Sequence, residues 1–147
     1  MQTNLSKRSK GRECALQILY EADVSEHSLS RANLEAACRT YWQNFSLDGA
    51  SHTFAESLVY GVADNLDKLN GYLAVASPRW KAERMAAVDR NALYLGIYEL
   101  LQGETPAPVV INEAVELAKK YGAEQSAAFV NGILDEIRRT IEQESKK

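Results

Sequence analysis

A chain of 147 residues, 46% apolar and 25% charged, has the balance of an ordinary folded domain and is long enough to bury about two-thirds of its unfolded surface. A net charge of −3 excludes a nucleic-acid binder that is basic over its whole surface and leaves room only for a local basic patch. No apolar run approaches the roughly 20 residues of a membrane span, and MQTNLSKRSKGREC lacks the apolar core of a secretory signal, so a cytoplasmic location is expected.

The three prolines, Pro78, Pro106 and Pro108, fall between periodic stretches, so the chain reads as helices joined by short connectors. The first predicted helix, about 8 to 23, puts Cys14, Ala15, Ile18, Leu19 and Ala22 on one arc. The second, about 30 to 46, groups Leu34, Cys38, Tyr41, Trp42 and Phe45 as a core stripe. The third, about 53 to 76, opens with Thr53 and Glu56 at capping-box spacing and carries Phe54, Leu58, Val62, Leu66, Leu69 and Leu73. Within it, Gly61 reads as a close-packing point.

SPRWKAERM, residues 77–85, changes composition and contains Pro78, which stops the preceding residue from continuing a helix. It is read as the boundary between an N-terminal subdomain, about 8–76, and a C-terminal one, about 83–143. The fourth helix, about 86 to 102, is apolar in nearly every direction and should be a buried central post. ETPAPV turns the chain into a fifth helix ending at Tyr121, where Gly122 suits the position after the last turn. The sixth, about 125 to 143, faces inward with Phe129, Val130, Ile133, Leu134, Ile137 and Ile141. The charged tail EQESKK reads as a fraying end, and no stretch alternates with the period of a strand.

Catalytic constellations are missing: there is no glycine-rich phosphate loop, no nucleophile elbow and no triad pattern, so no enzyme is expected. Cys14 and Cys38 are too few for a zinc site and read as small buried residues; His27 and His52 lack ligand spacing, so no metal or cofactor is expected. Glu113 and Glu116 read as a solvated helix face, with Glu116 four residues before Lys120 in the favourable ion-pair order.

The basic cluster Lys7, Arg8, Lys10 and Arg12 is more informative, because cations at a helix start oppose the helix dipole. It reads either as a solubilising, partly disordered terminus or as a phosphate-binding patch whose counterion release makes binding salt-dependent. Nearby aromatics would add base stacking, the usual means of holding single-stranded RNA.

The basic run leading into RECALQILYEADVS, then DRNALYLGIYELL, and above all INEAVELAKKYGAEQSAAFVNGILDEI, resemble the NusB family of bacterial transcription antitermination factors over almost the whole chain. The resemblance is strongest over residues 88–137 and weakest over 25–52 and the tail. It implies an all-α, NusB-like fold of two packed three-helix-type bundles, in agreement with the periodicity. It also implies pairing with the small-subunit ribosomal protein NusE, binding of boxA-type single-stranded RNA in nascent ribosomal RNA transcripts, and service in an RNA polymerase antitermination complex. A homodimer of the free protein is left open.

By position, the resemblance places RNA contacts on Arg8, Lys10 and Arg12, beside Lys7, and on Gln125 and Phe129, and it places partner contacts on Tyr20 and Asp89. Ser9 and Lys10 stand where some members carry Arg, which reduces the bidentate phosphate contacts available. Gln125 replaces an Asp of some members, and removing a negative charge near RNA favours binding.

Two other functions are weighed: a helical protein–protein adaptor that never meets RNA, and an RNA-binding domain like those preceding the catalytic domains of some rRNA cytosine methyltransferases. Against the second, no glycine-rich cofactor loop or later Cys motif occurs before Lys147. Asn131 and Gly132 interrupt the last helix near Phe129, where glycine costs about 1 kcal/mol relative to alanine. They serve either packing or close approach by RNA or a neighbouring loop, with Asn131 supplying amide hydrogen bonds to a nearby backbone.

Overall fold

The computed structural model describes residues 4–146, with side chains from Lys7 onward. Among the described residues every regular element is helical, and the chain divides into two compact units, 1–64 and 65–147.

The first unit contains α1 (Asn4–Glu26), α2 (Arg31–Asn44) and α3 (Gly49–Asp64), with α1 packed on both others. The predicted stripe of α1 is buried as expected, and Leu16, at 2% exposure, widens it. The helix ends at His27, whose φ of 53° is left-handed and whose N–H donates to the Asp23 carbonyl at 3.1 Å. Ser30 caps α2 by accepting from the Asn33 N–H at 3.2 Å. Leu34 and Cys38 are buried, but Tyr41 and Trp42 are only half-buried and Phe45 is exposed. Phe45 departs from the expected stripe because it adopts φ −132° and ψ 150°, where a helical projection no longer holds.

Asp48, rather than Thr53, caps the next helix: Ser51 donates its N–H to Oδ1 at 3.1 Å and its hydroxyl to Oδ2 at 2.8 Å. Glu56, the other half of the predicted capping box, accepts instead from the Trp42 indole at 3.0 Å. Gly61 is buried within α3, along with Ala55, Leu58, Val59 and Val62. An exposed Arg31–Asp64 pair at 2.6 Å, with the Arg31 guanidinium 4.4 Å from the Tyr60 ring centre, adds modestly to the joint between α2 and α3.

The predicted single helix over about 53 to 76 is broken. Asn65, at φ −122° and ψ 17°, separates α3 from α4 (Leu66–Ala76). One non-helical residue hardly disturbs the apolar spacing, so periodicity alone conceals the break. Residues 65–76, grouped above with the N-terminal subdomain, belong to the second unit and pack on its helices.

That unit continues with a 3₁₀ turn (Ala82–Arg84), α5 (Ala87–Gln102), α6 (Ala107–Tyr121) and α7 (Ser126–Ser145). The segment 77–85 is a tied connector inside the unit, because Arg90 Nη1 donates to the Ala82 and Met85 carbonyls at 2.9 and 2.8 Å. The expected post is α5, buried without interruption from Asn91 to Ile97 and packed on α4, α6 and α7. The Tyr94 hydroxyl donates to Asn70 at 2.7 Å, joining α5 to α4.

Two glycines shape the turns for different reasons. Gly103 closes α5 in the left-handed region, at φ 69°. Gly122 is extended instead, and a Cβ there would stand 2.7 Å from both the Ala118 carbonyl and Ser126 Oγ, so close approach selects glycine. The tail remains helical through Ser145, with Arg138 paired to Glu142 at 3.0 Å; Lys147 lies outside the described residues.

Candidate nucleic-acid interface

The cations of α1 do not share one environment. Arg8 and Lys10 are exposed, Lys7 is half-buried, and Arg12 is only 2% exposed. A guanidinium so enclosed is less accessible to a phosphate than those of its exposed neighbours. Helical geometry places Arg12 one turn below Arg8, on the side of α1 that meets α3.

Phe54 of α3 receives both arginines: the Arg8 Cζ lies 4.6 Å and the Arg12 Cζ 5.2 Å from its ring centre. Both distances fall within the range of cation–π attraction. Gly11 makes the approach feasible, since a Cβ there would lie 2.9 Å from Phe54 Cδ2 and 3.2 Å from the Ser51 carbonyl. Lys7, Arg8, Ala50, Ser51 and Phe54 line an adjoining cleft of about 190 Å³. Beside it, the Asp48 carboxyl is held below its usual range, first by the Ser51 N–H and hydroxyl and then by the charge of Lys7.

In the second unit, Gln125 is exposed at the start of α7 and makes no side-chain cap. Half-buried Phe129 donates its N–H to the Gln125 carbonyl at 3.1 Å. The turn before them is fixed by Ser126, 1% exposed, whose hydroxyl accepts from the Ala123 N–H at 2.9 Å. Asn131 and Gly132 are exposed, and, its own helix backbone and chain neighbours aside, no atom of the described residues lies within 4 Å of where a Gly132 Cβ would stand. Packing inside the chain therefore does not account for Gly132.

The two candidate partner positions differ as well. Tyr20 is 41% exposed, and Val24, one turn on, is 46% exposed. Asp89 occupies the first turn of α5, where a carboxylate suits the dipole, and its buried Oδ1 has no hydrogen-bond partner among the described residues.

Cys14 and Cys38 are free and buried, and burial pushes both thiols up, which makes them poor nucleophiles. Among the described residues no group of His, Cys, Asp or Glu is arranged to hold a metal. Glu116 meets Lys119 at 3.4 Å, and the Lys120 ammonium lies 5.5 Å from the Tyr121 ring centre. Sequence reasoning placed Phe54 in a core stripe and missed its cations. The only local signal was Gly11 set between Lys10 and Arg12.

A family model described as "NusB family" matches residues 9–139. The chain belongs to the NusB family. It is 43% identical over 133 residues to a transcription antitermination protein NusB of Anaeromyxobacter dehalogenans, covering 90% of each chain. Its fold is similar to the solved T. maritima NusB, with a TM-score of 0.82 and 31% identity, covering 95% of this chain and 93% of that one. A structure of the antitermination factors NusB and NusE in complex with dsRNA agrees in fold, with a TM-score of 0.76 and 24% identity over 91% of this chain and 97% of the other. Within this NusB-family chain, Lys7 and Arg8 precede the matched segment, while Lys10, Gln125 and Phe129 fall inside it.

Proposed function

We propose that this NusB-family chain is an RNA-binding transcription antitermination factor that pairs with NusE, binds boxA-type RNA and acts in the cytoplasm. It catalyses no reaction and works by affinity and assembly. The observation that carries the RNA reading is the concentration of exposed Arg8 and Lys10, with Lys7, at the start of one helix in a chain of net charge −3. Family membership supports it, as does the naming of its relatives as antitermination proteins. Among the described residues no helix is long and apolar enough to cross a membrane.

In this reading Arg8, Lys10 and Lys7 neutralise phosphates, and Arg12 supports them from within. On the second unit, Gln125 and Phe129 are the candidate contacts for bases, through an amide and a ring face. Tyr20 and Asp89 are the candidate contacts for NusE.

Filter binding of a boxA-like RNA across a salt series, with and without NusE, tests the proposal. Affinity that falls steeply with salt is expected. Negligible affinity at every salt concentration, with NusE present, would leave a protein–protein adaptor as the better reading.

A further inference from the structure

We infer that Phe54 is a positioning residue for RNA binding: its ring holds the Arg8 guanidinium at the mouth of the α1–α3 cleft, with buried Arg12 as the second cation on the same ring. This inference rests on the RNA reading above and assigns a role to an aromatic residue outside the basic segment.

Arg8 and Arg12 lie four residues apart on one helix, where like charges repel. Left alone, the outer guanidinium of such a pair would swing into solvent. The electron-rich ring face supplies attraction for both cations without neutralising either, which a carboxylate could not do. The distances of 4.6 and 5.2 Å place both on Phe54.

Three features show that the arrangement is built into the α1–α3 joint. Gly11 clears the space that the ring occupies, to the point where a methyl group would collide with Phe54 Cδ2 at 2.9 Å. Arg12 is enclosed at 2% exposure, so one cation anchors the ring from inside. The nearby Asp48 carboxylate is turned to the Ser51 N–H and hydroxyl at 3.1 and 2.8 Å, which occupies it in capping α3. Arg8 thus remains exposed yet oriented, and a phosphate meeting it finds a donor already in place.

The test replaces Phe54 with leucine, tyrosine, tryptophan and a trifluorinated phenylalanine, the last keeping ring shape while weakening its negative face. RNA affinity is measured for each in the NusE-paired protein, with and without Arg8→Ala. We expect Phe54→Leu and the fluorinated ring to weaken RNA binding about three- to fivefold, as loss of a surface cation–π contact predicts. Tyrosine and tryptophan should stay within about twofold of the natural protein. In the Arg8→Ala background the Phe54 effects should vanish, and NusE pairing should be unchanged throughout. An unaltered affinity for the fluorinated protein, or an equal loss in the Arg8→Ala background, overturns the inference. If the natural protein binds no RNA, the proposed function itself falls; if it binds RNA through Arg8 and ignores the ring, only the role of Phe54 falls.

Discussion

Gly96 of α5 and Leu134 of α7 are in such close contact that a Cβ on Gly96 would stand 2.7 Å from Leu134 Cδ1. Gly96→Ala should destabilise the protein by about 1–3 kcal/mol, the usual range for overpacking a filled core. Leu134→Ala alone should cost about 2–5 kcal/mol through its cavity. Combined, the two changes should cost less than their sum, because the new methyl enters the space the leucine vacates. Denaturant unfolding of the four proteins measures this, and strict additivity would show that the residues do not share that space.

His27 holds a left-handed backbone at the end of α1, with φ 53°, and its side chain is exposed. Glycine adopts that conformation without steric cost. His27→Gly should therefore raise stability by roughly 0.5–1 kcal/mol, read as a higher denaturant midpoint with unchanged slope. A lower midpoint would mean that the imidazole has a stabilising role that outweighs the backbone strain.

Asp48 and Asp135 are both held below the usual carboxylate range. The Ser51 N–H and hydroxyl are the main cause at Asp48; at Asp135 it is the Arg138 hydrogen bond, followed by the charges of Arg139 and Arg138. A depressed folded-state value means that the unfolded chain binds the proton more readily. Each group's contribution is thus fully present above the ordinary unfolded value, near 3.9, and is lost as pH falls through the lower folded value. Carboxyl NMR titration should find both midpoints below that ordinary value. In Asp48→Asn the acid-side loss of stability should be shallower, and an unchanged profile would count against the Ser51 hydrogen bonds as its source.

Arg8 and Arg12 should separate by experiment. Arg8→Ala should weaken RNA binding and make the salt slope shallower by about one, with little effect on melting. Arg12→Ala removes an enclosed side chain and should lower the melting midpoint first. An Arg12→Ala protein with natural stability and a reduced salt slope would return Arg12 to the RNA surface.

At Gly132 an added Cβ would meet nothing within 4 Å beyond its own helix backbone and chain neighbours, which predicts a simple outcome for alanine. Gly132→Ala should stabilise α7 by up to about 1 kcal/mol through helix propensity alone. RNA affinity measured on the same protein then gives the residue its role. A loss of affinity in this more stable variant assigns the flank of α7 to close approach by RNA, and full affinity removes Gly132 from the interface.

Helix identity was legible because apolar spacing at 3.6 residues reflects which face each helix buries, a property local to a dozen residues. The buried post α5 and the inward stripe of α1 both follow from that local pattern. The family was legible from motifs spread along the chain, above all INEAVELAKKYG followed by FVNGILD.

Only the tertiary structure decided which members of the basic cluster face solvent, because burial depends on what another helix brings alongside. Arg12 is enclosed and Arg8 is not, although four residues of the same helix separate them. Phe54, 42 residues beyond Arg12, meets both guanidiniums, and Gly11, whose missing side chain lets that ring approach, lies on the same helix between them. The division at Asn65 was likewise invisible to periodicity, since one residue out of helical geometry separates the two helices while the apolar spacing continues. Sequence by itself determined which segments coil and where the cations cluster; packing across α1 and α3 decided which of those cations is exposed and which is enclosed.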